Sequence, residues 1–137
     1  MPRFEDIKEG DELPELRKKP TLQTLVKYSA GSGDFNPLHH DYNFPQARQI
    51  GSIIVHGRFK YASLGELVSN WVGHAGRIRK LSCQYRGMDL PDKEFVCRGV
   101  VKKKSEDGGE KVVDLEIWAE NAEGKKTTPG AATVVFA

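Results

Sequence analysis

A chain of 137 residues, 38 % hydrophobic and 29 % charged, is long enough for one domain with its own core and too apolar to be disordered. Its net charge of +2, with acids and bases interleaved, leaves no nucleic-acid footprint, and no apolar run approaches the length of a membrane span. The N-terminus, Met1-Pro2-Arg3-Phe4-Glu5-Asp6, lacks an apolar signal core, so a cytoplasmic protein is expected.

In chain order, residues 1–20 are polar, with prolines at 2, 14 and 20. Phe4, Ile7 and Leu13 are candidates to dock onto the domain, and Leu13 to Lys19 reads as a first strand. Leu22, Leu25, Val26 and Ser29 then follow helical spacing, with Thr21 as N-cap. Gly31 and Gly33 end that helix and release the chain into the loop Asp34-Phe35-Asn36-Pro37-Leu38-His39. Asn36-Pro37 resists helix and biases Asn36 towards extended geometry. A short helical turn is expected over Phe44 to Arg48, followed by the apolar Ile53-Ile54-Val55 and by His56-Gly57.

Residues 58–72 are the longest helix candidate. Leu64, Leu67, Val68, Trp71 and Val72 share one face, and Phe59, Ala62, Ser63 and Gly65 widen it, so this helix is buried on several sides. Gly73 to Gly76 stops it. The remainder reads as strands. Leu81, Cys83 and Tyr85 alternate with polar residues. Phe95 to Val101 is an apolar run ended by Lys102-Lys103-Lys104, which reads as a solvated strand end. Val113, Leu115, Ile117 and Ala119 alternate with Asp114, Glu116 and Trp118, and Ala131 to Phe136 closes the chain. Asp107-Gly108-Gly109 and Asn121 to Gly124 are hairpin turns. Cys83 and Cys97 lie in apolar runs and pack as small hydrophobes without a disulfide. The fold class is α+β: one hot-dog domain over residues 1–137, an antiparallel sheet wrapped around a long central helix at about residues 57–72.

The chemistry concentrates in the Asp34–His39 loop. A carboxylate and an imidazole facing one cavity can hold a water, one group taking a proton while the other delivers one. Histidine, with a reference pKa of about 6.5, serves in either direction. From the residues alone the structural alternative stands beside this: Asp34 capping local amides and His39 packing on Tyr42 or Phe44. Gly57 opens the long helix, where unpaired amides carry partial positive charge and a glycine lets a ligand carbonyl approach, or it is a plain N-cap glycine. Adjacent side chains such as His39-His40-Asp41 rarely converge on one ion, so no metal is expected. Ser32 lacks the strand-to-helix context of a hydrolase nucleophile, and Gly31 and Gly33 lack the rest of a phosphate loop. Glu66 reads as the exposed side of the buried helix rather than a second acid.

The string Asp34 to His39, preceded by Tyr28, Ser29 and Gly33 and followed by Ile54-Val55-His56-Gly57, resembles the hydratase motif of the MaoC-like family. These are hot-dog (R)-specific enoyl-thioester hydratases and (3R)-hydroxyacyl-thioester dehydratases. The resemblance runs over roughly residues 5–137, and Asn70-Trp71-Val72-Gly73 is similar to subunits of heteromeric dehydratases. It implies that Asp34 and His39 activate water and that the Gly57 amide polarises the thioester carbonyl. Asn36, Ser32, Val55 and His56 would contact substrate or orient the loop. It further implies no cofactor, a CoA or acyl-carrier-protein thioester as substrate, and a homodimer or a heterodimer or heterotetramer with a related hot-dog subunit. One departure stands out. Arg58 follows Gly57 where the family usually carries an apolar residue, so it points to solvent, to a partner subunit or to a polar substrate.

Overall fold

The computed structural model describes residues 1–137, apart from the side chain of Asp107. Five strands form one antiparallel sheet: β1 (Leu16–Lys18), β2 (Gly76–Cys83), β3 (Phe95–Asp107), β4 (Glu110–Glu120) and β5 (Lys126–Phe136), in the order β1-β3-β4-β5-β2. Three helices precede β2: α1 (Leu22–Ser32), α2 (Pro45–Ile50) and α3 (Gly57–Val72).

The sheet is built on period-two burial. Val113, Leu115, Ile117 and Ala119 of β4 are all buried, while Asp114, Glu116 and Trp118 take the other face. The buried face meets Leu64, Leu67, Val68 and Val72 of α3 in the main core. Each such side chain contributes about 1.5–3 kcal/mol on leaving water. Phe4, Ile7 and Leu13 complete this core, so the N-terminal residues do dock.

A smaller cluster of Leu25, Ala47, Ile53 and Val55, with Leu38, Phe44 and Phe59 against it, lies beneath the Asp34–His39 loop. On α1 only Leu25 and Ser29 face inward, whereas Leu22 and Val26 of the same apolar pattern are exposed. Thr21 caps α1 as expected, in a reciprocal pair with Thr24.

Several boundaries differ from the sequence expectation; β5, for one, begins at Lys126 rather than Ala131, and α2 runs on to Ile50. β1 is shorter than Leu13–Lys19, although Leu13 is held by its N–H to the Gly99 carbonyl at 2.9 Å. β2 ends at Cys83, which leaves Tyr85 outside the strand. β3 runs on through the three lysines. A register shift between Val101 and Lys103 accommodates the run of charges. Lys104 then lays its ammonium over the Phe4 ring, 4.4 Å from the centroid.

Both cysteines are free. Burial pushes the Cys97 thiol up to about 12, so it has almost no thiolate near neutral pH. A thiol reagent added to native protein should label Cys83 first and reach Cys97 only after denaturant. Equal labelling rates in the native state would contradict this burial.

Candidate active site

The loop between α1 and α2 is assembled from short-range polar bonds. Gly33 ends α1 in the left-handed region at φ 79°, which glycine adopts without strain. The Ser32 hydroxyl donates to the Tyr28 carbonyl at 2.6 Å and accepts from the Asp34 N–H at 3.2 Å. One carboxylate oxygen of Asp34, Oδ1, accepts from the Asn36 N–H at 3.2 Å. Asn36 Oδ1 in turn accepts from the Leu38 N–H at 3.0 Å and starts the single 3-10 turn Pro37–His39. Ser32 and Asn36 therefore use these side-chain atoms to shape the loop.

Asp34 keeps its second oxygen free of these bonds. Oδ2 lies 3.8 Å from His39 Nε2. That is beyond a direct hydrogen bond and suits a water oxygen bonded to both groups. His39 is 8 % exposed. Its Nδ1 lies 2.8 Å from the Ile54 carbonyl, which can only accept. Nδ1 therefore carries a hydrogen, and Nε2, a lone pair in the neutral ring, faces Asp34. The Ile54 N–H closes the link by donating to the Leu38 carbonyl at 3.1 Å.

His56 lies beneath His39 and is fully buried. The two rings stack with centroids 3.7 Å apart and planes 20° apart, and Tyr28 meets His56 edge-on at 4.9 Å. His56 Nε2 lies 3.0 Å from the Ser29 hydroxyl and 3.4 Å from the Asp34 carbonyl. Because that carbonyl only accepts, Nε2 carries the hydrogen. Nδ1 is then a bare lone pair, the one buried side-chain polar atom without a partner among the described residues. His39 thus packs on His56 rather than on Tyr42 or Phe44.

Burial, followed by the neighbouring His39 imidazole, pulls the pKa of His56 below its ordinary value of 6.5. His56 consequently folds neutral. Its contribution to stability is intact above the ordinary value and is lost as pH falls below it towards the depressed folded value. Urea titrations from about pH 7.5 down to about pH 5 should show declining stability, and His56→Phe should flatten the decline. An unchanged slope in that variant would assign the decline to other groups.

The ligating atoms of Asp34, His39 and His56 all lie within 4.8 Å of one another. A cation would have to sit in the plane of both imidazoles, along their lone pairs. Stacked rings share no such point nearby, so this donor set does not fit a metal. His40 is half-buried, with Nε2 3.3 Å from the Phe35 carbonyl.

Gly57 begins α3, next to this pair in the chain. The Phe59 and Lys60 N–H groups turn back to the His56 carbonyl at 3.1 and 3.4 Å, while those of Gly57 and Arg58 make no backbone bond of this kind. A Cβ on Gly57 would meet the Tyr85 ring at 3.0 Å, so that exposed ring would have to give by a few tenths of an ångström. Arg58 is exposed, and Glu66 is exposed with a 2.8 Å ion pair to Lys18. Val55 is buried, its N–H given to the Asp89 carbonyl at 2.8 Å.

The sequence reading missed two groups, Tyr85 over Gly57 and a buried ion pair between Lys60 and Asp89. Lys60 was legible in one respect. It precedes Leu64 by four residues on the apolar stripe of α3, where a charge demands a partner.

Residues 7–122 match the sequence model of the MaoC-like domain. The chain belongs to the MaoC-like domain family. Within it, the chain is 35 % identical over 74 residues to fatty acid synthase subunit beta of Saccharomyces cerevisiae, a match that covers 53 % of this chain and only 4 % of that protein. The fold is that of an (R)-hydratase from A. caviae involved in PHA biosynthesis, with a TM-score of 0.85, 20 % identity, and coverage of 96 % of this chain and 98 % of the other. It is also that of the ChsH1–ChsH2 complex from Mycobacterium tuberculosis, with a TM-score of 0.80, 20 % identity, and coverage of 95 % and 98 %. These likenesses establish the hot-dog arrangement of sheet and central helix.

Proposed function

We propose that this MaoC-like chain adds water across the C2=C3 bond of trans-2-enoyl thioesters to give (3R)-hydroxyacyl thioesters, or runs the reverse dehydration. The observation that carries this reading is the pairing of Asp34 Oδ2 with the free Nε2 of His39 at 3.8 Å, His39 being oriented by the Ile54 carbonyl.

In the forward direction a water held between the two groups loses a proton to one of them as its oxygen bonds to C3. The C2=C3 electrons move towards the thioester, and charge builds on the carbonyl oxygen. The Gly57 N–H at the start of α3 stabilises that charge. A proton then goes to C2, the carbonyl re-forms, and both side chains return to their starting state. Atoms and electrons balance between water and substrate, so the reaction calls for no redox cofactor. The R outcome is supported by the likeness to the (R)-hydratase.

The acyl carrier is CoA or an acyl-carrier protein. The likeness to the ChsH1–ChsH2 complex supports assembly with a second hot-dog subunit, identical or related. The test is to mix the purified chain with a short trans-2-enoyl-CoA, or its carrier-protein equivalent, and follow loss of the conjugated enoyl absorbance. Hydration above buffer is the expected result. No hydration of either thioester, with the chain alone or beside a co-purifying subunit, would overturn the reading, and CoA release without hydration would replace it with thioester hydrolysis.

A further inference from the structure

Lys60 sits in the first turn of α3 and is only 2 % exposed. Its ammonium donates to Asp89 Oδ2 at 2.8 Å and to the Gly87 carbonyl at 3.1 Å. Asp89 is 4 % exposed, and the same carboxylate oxygen accepts from the Thr127 hydroxyl at 2.6 Å. The main chain of this segment is fixed to β5, with the Arg86 and Gly87 N–H groups donating to the Thr127 carbonyl at 2.8 and 3.1 Å.

Asp89 grips the start of α3 from two sides. Its carbonyl holds the Val55 N–H, two residues before Gly57, and its carboxylate holds Lys60, three residues after. Stability alone does not call for such a pair, because well-packed apolar side chains of similar volume usually serve a core as well or better. The main-chain bond to Val55 is open to any residue, but apolar side chains cannot supply the directional bond on the α3 side of the Gly57 amide. A stabilising N–H must hold its place while charge grows on the oxygen it faces, and small misplacements cost rate.

We infer that Lys60 and Asp89 are positioning residues that hold the Gly57 N–H against the substrate carbonyl. This rests on the hydration reading above and adds to it a requirement outside the Asp34–His39 loop.

The test replaces the polar set with apolar side chains in Lys60→Met/Asp89→Leu/Thr127→Val, which leaves the Asp89 main chain in place. Lys60→Met/Asp89→Leu, which removes both charges and keeps Thr127, is the second variant if the first does not fold. In variants that unfold cooperatively, kcat should fall about 10-fold or more while KM stays within about 2-fold. A second readout needs no turnover. The 13C resonance of a carbonyl-labelled saturated acyl-CoA should shift on binding to the wild type and return towards its free value in the variants.

Unchanged kcat and an unchanged carbonyl shift in a folded variant would reduce the pair to a structural role. A wild type that shifts the carbonyl without hydrating enoyl-CoA would defeat the hydration reading alone, with the positioning role still read from the resonance.

Discussion

Replacing Asp34 by Asn, or His39 by Ala, is expected to lower hydration of trans-2-enoyl-CoA by roughly 100-fold or more, the usual scale of a lost general acid or base. The two substitutions fail for different reasons. In Asp34→Asn the oxygen that accepts from the Asn36 N–H can be kept, so the loop holds its shape. The new amide nitrogen would stand across from His39 Nε2 where a carboxylate oxygen now accepts, so a water between the two groups loses its acceptor on that side. In His39→Ala the imidazole itself is lost, along with the stack on His56 and the bond to Ile54. The Asn variant is therefore the cleaner probe, with kcat falling and KM little changed. Initial rates of enoyl absorbance loss measure both. Wild-type rates in the two variants together would remove this pair from the chemistry.

The second large effect is on stability. Lys60→Met alone should cost about 3–5 kcal/mol, because it leaves the Asp89 carboxylate buried with no cation beside it. Thr127 still donates to that oxygen, but one hydroxyl does not offset the desolvation of a charge. The contrast with the all-apolar variant is the informative part. Removing Asp89 and Thr127 polarity as well should recover most of the loss, since no charge is then stranded. Urea unfolding of the single and triple variants gives both numbers. A loss under about 1 kcal/mol in the single variant would mean that water reaches Asp89.

The Asp34–His39 loop was readable because everything that shapes it is local. A capped helix, a left-handed glycine and an Asn-Pro pair all act within a few residues of one another. The α3 helix and β4 were readable because their apolar periods run long enough to be unambiguous. The packing of His39 on His56 was not, since it depends on how the Ile53–Val55 segment crosses the loop, and a histidine before a glycine carries no sign of burial. Lys60 sent half a signal: its place on the apolar stripe demanded a counter-charge, but Asp89 belongs to an irregular segment with no period to follow. The length of β3 was hidden because three consecutive lysines imitate a strand end, whereas here Lys102 pairs with Glu116 of β4 and Lys104 lies over Phe4.

The Asp34 carboxylate, the His39 ring and the Gly57 amide all come from one unbroken stretch of a single chain. Under the proposed chemistry, each copy carries its own complete reacting set, and no neighbour has to lend a group. Site number then follows copy number. A homodimer should titrate two equivalents of a tight inhibitor, and a one-to-one pair with a subunit lacking this loop should titrate one.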